Sequence, residues 1–113
     1  MPIFEQGSIV RVPFPYTDRP VRQHRPALVV SAEGLGDQQH LLWVVMITSA
    51  SNRGWPGDIA LIDNHVEVGL PAASLIRPAK IATIDAVHAE PLGNVGPQVL
   101  AEVKRILAAH LDV

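Results

Sequence analysis

"HLLWVVMITS", residues 40–49, is the stretch whose assignment decides how the chain folds. Seven apolar residues follow one another from Leu41 to Ile47, Val and Ile among them. An unbroken run of that length suits a strand covered on both faces, so it is assigned to the middle of a sheet. Thr48 and Ser49 close the run, placing two hydroxyls where the core ends.

Upstream, "EGLGDQQ" (33–39) mixes two glycines with polar side chains and reads as a turn. A second strand is expected over 26–32, headed by Arg25 with His24 beside it. Residues 17–25, "TDRPVRQHR", form a polar loop, and residues 8–14 form another strand, punctuated by Gly7. Pro13 and Pro15 lack the N–H that a ladder needs, so that strand lies at an edge or ends early.

Downstream, "ASNRGWPGD" (50–58) is a loop by composition. Short strands are expected over 59–63, 72–77 and 80–85, with one more within "VHAEPLG" (87–93). Pro97 then opens a helix, since a missing N–H costs nothing in the first helical turn. Leu100, Val103, Leu107 and Leu111, with Ile106 beside them, stripe one face, and His110 extends it. Glu102, Lys104 and Arg105 take the other face. Many short strands followed by one amphipathic helix predict a small barrel of α+β class, a single domain over 1–113.

Composition narrows the function classes. An apolar fraction of 48% against 18% charged residues describes a chain that buries a core. The absence of cysteine excludes disulfides, thiolate metal sites and a cysteine nucleophile. "MPIFEQGSIV" has no basic, then apolar, signal-peptide pattern, and no apolar run approaches the ~20 residues that span a bilayer. A cytoplasmic protein with no membrane partner is expected. The net charge of −2 means that any nucleic-acid role rests on a local cluster. One such cluster exists: Arg11, Arg19, Arg22 and Arg25, four of the nine Lys+Arg residues, surround the 17–25 loop.

Familiar catalytic motifs are missing. His24, His40, His65, His88 and His110 have no metal-ligand spacing, and there is no G-x-S-x-G, Walker loop or G-x-G-x-x-G. What stands out is a set of positions: Arg25 leading a buried strand, Thr48–Ser49 ending another, and Arg77–Pro78 followed by Lys80. Each also has a structural explanation, because Ser and Thr at strand ends commonly bond local backbone.

In order, "GSIVRVPFPYTD", "RPALVVS", "VVMITS" and "GLPAASLIRPAKIATID" resemble the PemK/MazF toxins of bacterial toxin–antitoxin pairs over roughly residues 7–111. The resemblance implies an SH3-like barrel with added helices and a homodimer. It also implies a separately encoded cognate antitoxin and metal-independent cleavage of single-stranded RNA, with no cofactor. Arg25 and Thr48 match the family's catalytic arginine and threonine, and Arg77 matches an arginine that part of the family uses on RNA. His24 stands where some members carry histidine. The sequence departs from some members in two places: no acid occurs from Pro20 to Gln23, and Ala79 replaces a carboxylate. A different division of acid and base roles is therefore expected here.

Chemistry gives these residues distinct tasks. Metal-free RNA cleavage uses the adjacent 2′-hydroxyl as nucleophile and needs a base, an acid and cations for the charge growing on phosphorus. Arginine suits the last task, being planar, always charged and able to engage two phosphate oxygens. Thr48 would donate a hydrogen bond to a non-bridging oxygen. His24 is the base candidate, since histidine titrates near neutrality. If residues 24 and 25 are both extended, however, their side chains point to opposite faces. Arg19 and Arg22 are expected to contact phosphates, with Ser49, Arg77 and Lys80 adding to the RNA surface. Trp55, and less so Tyr16, are candidates for base stacking. The rival reading is a non-catalytic barrel that binds nucleic acid or an antitoxin peptide through the same basic loop.

Overall fold

The computed structural model describes residues 4–15 and 22–113, Arg22 by its backbone alone. Six strands, β1 (Ser8–Pro15), β2 (Arg22–Val29), β3 (Leu41–Ser49), β4 (Ile59–Leu61), β5 (Ser74–Asp85) and β6 (Glu90–Asn94), precede one helix, α1 (Pro97–Leu111). Short 3-10 turns occur at Asp37–Gln39 and Ala86–His88. The strands form one antiparallel sheet in the order β4-β5-β3-β2-β1-β6. The sheet curls into a half-barrel, with α1 completing the expected α+β architecture. Among the described residues, no helix is long and apolar enough to cross a membrane.

The sheet is covered on both faces, which explains the unbroken apolar runs in its central strands. Val45 and Ile47 of β3 face one side with Ile9, Leu28 and Ile76, under α1. Leu42, Val44 and Met46 face the other with Val10, Val12, Phe14, Ala27 and Val29. Val103 anchors the helix in the first cluster, and Leu100, Ile106 and Leu107 pack beside it. Leu111 and His110 depart from the expected stripe: both are exposed, because α1 passes beyond the cluster it covers.

Two prolines that bend the expectation near β1 find a simple place. β6 pairs with β1 only from Ser8 to Arg11, so Pro13 and Pro15 are flanked by β2 alone and interrupt no β6 ladder.

Three expected boundaries shift. Strand β2 begins at Arg22 rather than residue 26, because residues 22–25 pair with Pro15 through Val12 of β1. The polar loop expected over 17–25 thus gives its last four residues to a strand. The strands expected over 72–77 and 80–85 are one strand, β5, with a bulge. Met46 pairs with Arg77 and Val45 with Ile81, which leaves Pro78, Ala79 and Lys80 unmatched. The strand expected over 59–63 ends at Leu61.

Candidate active site where two strands part

β2 and β3 run together only from Ala27↔Met46 onward, immediately after Pro26, which has no N–H to give the ladder. Counting two residues back along the same register sets Arg25 opposite Thr48, beyond the last ladder pair. Both stand on the face that carries Ala27 and Met46, since side chains alternate along a strand. Arg25 is half-buried, and its Nη1 lies 3.8 Å from Met46 Sδ. Thr48 is buried, and its Oγ1 accepts a hydrogen bond from Asn52 Nδ2 at 2.7 Å. A guanidinium and a hydroxyl therefore share the mouth of the sheet where its two central strands separate. Both are donors suited to phosphate oxygens.

The third strand at this mouth is β5. Arg77 pairs across from Met46, which puts it on the same face as Arg25 and Thr48. It is only 6% exposed, and the partner that permits this burial is Asp58. Arg77 Nη2 and Nε donate to Asp58 Oδ2 at 2.9 and 3.3 Å, and Nη2 also donates to the Arg53 carbonyl at 2.8 Å. The guanidinium carbon sits 4.1 Å from the centre of the Trp55 ring, with Lys80 Nζ 5.3 Å from the same centre. Asp58 Oδ2 additionally accepts the Trp55 backbone N–H at 2.8 Å. Arg77, Lys80 and Trp55 are thus brought together, but around an internal ion pair that draws the 50–58 loop onto β5.

His24 is not brought to this group. Because β2 already includes it, His24 and Arg25 alternate faces, and His24 is exposed on the side opposite Arg25. The candidate assisting base at residue 24 therefore does not share a face with Arg25 and Thr48. Ser49 likewise alternates away from Thr48, and its Oγ lies 2.8 Å from Ser51 Oγ. Arg19, Tyr16 and the Arg22 side chain lie outside the described residues.

Two functional candidates escaped the sequence. Asp58 is 19 residues from its ion-pair partner, and nothing local announces the pairing. Asn52 sits in a loop with no periodicity, although its four-residue distance from Thr48 is within reach of a tight turn. Among the described residues, no three His, Cys, Asp or Glu side chains are grouped to hold a metal ion.

A family model for the PemK-like, MazF-like toxin of type II toxin-antitoxin systems matches residues 5–111. The chain belongs to this PemK/MazF family. Solved structures share its fold. MazF from Deinococcus radiodurans is 22% identical, with all of both chains covered and a TM-score of 0.74. A MazE–MazF structure from the same organism is 23% identical over 98% of each chain, with a TM-score of 0.74. An endoribonuclease in complex with its cognate antitoxin, from a Mycobacterial species, is 20% identical. It covers 97% of this chain and 96% of that one, with a TM-score of 0.73. At these identities the likeness establishes a PemK/MazF fold. No curated protein matches the sequence significantly.

Proposed function

We propose that this chain is the toxin of a type II pair and an endoribonuclease that cuts single-stranded RNA without a metal. The observation that carries this is the placement of Arg25 and Thr48 on one face at the point where β2 leaves β3. A scissile phosphate seated there receives two charge-stabilising contacts from rigid strands. The 2′-hydroxyl gives its proton to water as its oxygen bonds to phosphorus, the P–O5′ bond breaks with the 5′-oxygen taking a proton from water, and a cyclic 2′,3′-phosphate remains. Arg25 neutralises the charge that grows on the non-bridging oxygens as this happens. It is a poor proton acceptor, because its pKa exceeds ~12. Thr48 donates a hydrogen bond to one of the same oxygens. Trp55 and Lys80, with the loop arginines, supply the adjoining RNA surface.

Cleavage of a long single-stranded RNA in excess EDTA tests the reading. Cuts at a recurring short sequence are expected. Thr48→Ala is expected to slow them about 10²–10³-fold, the usual cost of one lost oxyanion donor. Cutting that stops in EDTA and returns with magnesium would end the metal-free assignment.

One observation favours a second reading, a module that binds RNA or an antitoxin peptide without cutting. Arg77 is committed to Asp58 in an internal ion pair rather than offered to RNA. RNA bound in a salt-sensitive way, with no cuts under any ionic condition, would select it.

The partners follow from the same proposal. An antitoxin with an acidic tail is expected to cover the Arg25 mouth and compete with RNA. A short acidic reading frame beside this one, whose product blocks cleavage, is the corresponding result. A second copy of the chain is expected on the apolar face beside the C-terminal half of α1. Trp43 (48% exposed), Ile81 (52%) and Leu111 (70%) gather there around a groove of about 930 Å³. Large apolar side chains grouped on one surface favour a partner of the same kind. Sedimentation equilibrium is expected to give a dimer for the parent chain and a monomer for Ile81→Glu. A parent chain that stays monomeric at tens of micromolar would remove the homodimer from the proposal.

A further inference from the structure

We propose that Asn52 is a positioning residue that turns the Thr48 hydroxyl into a hydrogen-bond donor aimed at the substrate. The inference rests on the reading of Thr48 given above. A threonine hydroxyl carries one proton and two lone pairs. At a strand end its easiest use of that proton is a bond to a nearby backbone carbonyl, which would leave only lone pairs for a ligand. Asn52 changes the balance. Its Nδ2 donates to Thr48 Oγ1 at 2.7 Å, so one lone pair is filled and the hydroxyl proton is not spent on residue 52. A phosphate oxygen, which can only accept, then finds the donor it requires.

The loop is built to hold that amide in place. On one side Asn52 N–H bonds the Ser49 carbonyl at 3.0 Å, closing a tight turn directly after β3. On the other side the next residue, Arg53, has its carbonyl gripped by Arg77 Nη2 at 2.8 Å. Arg77 is itself fixed by Asp58, and Asp58 holds the Trp55 N–H. The buried ion pair thus contributes to the site indirectly, by fixing where the Asn52 amide stands.

Two substitutions separate polarity from shape. Asn52→Asp keeps the outline of the side chain but offers oxygens only, so the Thr48 proton is drawn back toward residue 52. Asn52→Ala removes the contact without adding charge. In single-turnover and steady-state cleavage, Asn52→Ala is expected to lower kcat about 5- to 10-fold with KM within about 2-fold. Asn52→Asp is expected to approach the loss seen in Thr48→Ala, about 10²-fold. Both should melt within a few degrees of the parent.

The decisive readout is the double-mutant cycle, because a merely structural role for Asn52 would act whether or not Thr48 has its hydroxyl. Adding Asn52→Ala to Thr48→Ala is expected to cost nothing further. Multiplying losses in the double variant, or an unchanged kcat in Asn52→Ala, overturns the positioning role and leaves the catalytic reading of Thr48 standing. A Thr48→Ala variant that cuts at the parental rate overturns both.

Discussion

Arg25→Ala is expected to reduce RNA cleavage by about 10³-fold or more, on the scale at which a single arginine stabilises transferring phosphoryl charge. The fold should survive. Arg25 is half-buried on β2 just outside the β3 ladder, with its guanidinium against Met46 at the edge of the second cluster, so its removal leaves the apolar centre of the sheet in place. Melting temperature and circular dichroism should stay close to the parent while the rate collapses. Arg25→Lys is expected to recover only part of the activity, since one ammonium cannot replace a planar group that meets two oxygens at once. An Arg25→Ala variant that cleaves within about tenfold of the parent would show that Arg25 is structural, and the site would have to be sought elsewhere.

The second large effect concerns stability. Arg77→Ala leaves the Asp58 carboxylate buried without its cation, and breaking a pair of this kind costs about 3–5 kcal/mol. For a domain of this size that corresponds to a fall in Tm on the order of 10–20 °C. Asp58→Ala should cost as much, because it strands the Arg77 guanidinium and also removes the acceptor of the Trp55 N–H. The double replacement Asp58→Leu with Arg77→Met is expected to recover much of the stability, since neither charge is then left alone. Thermal melts of these variants also decide what Arg77 is for. If it worked only on RNA, Arg77→Ala would lose cleavage at an unchanged Tm. If it clamps the loop, stability falls first, and cleavage falls through the displaced Asn52 and Trp55.

That clamp also bears on the missing carboxylates. Ala79, where the resemblance led to an expected acid, lies in the unpaired bulge of β5. Asp58 reaches Arg77 from the other side of the loop. The carboxylate partner of Arg77 in this chain is thus Asp58, held in a buried ion pair.

Much of the sheet was legible in the residues themselves. The run from Leu41 to Ile47 could be assigned to a central strand because burial on both faces removes the polar alternation that an exposed face imposes. Pro97 and the stripe through Leu100, Val103 and Leu107 marked the helix for an equally local reason, the 3.6-residue period. Arg25 and Thr48 could be singled out because polar groups at the ends of buried strands are conspicuous against apolar neighbours. All of these are consequences of covalent geometry and side-chain polarity within a few residues.

The start of β2, the bulge in β5 and the facing of His24 depended on partners. Backbone ladders ignore side-chain charge, so β1 could draw the polar residues 22–25 into a strand. That extension put His24 on the face away from Arg25, and it separated a base candidate from the site by a single peptide unit. Pro78 looked like a break between two strands, but a bulge accommodates a missing N–H while β3 keeps both halves of β5 in register. The Arg77–Asp58 pair and the Asn52–Thr48 hydrogen bond arise only when the 50–58 loop folds back on the sheet. Sequence alone thus determined which segments are strands or helix and which polar residues end them, because periodicity is local. Tertiary structure alone decided which of those residues share a face and what holds them there, because register and loop closure are set by atoms distant in the chain.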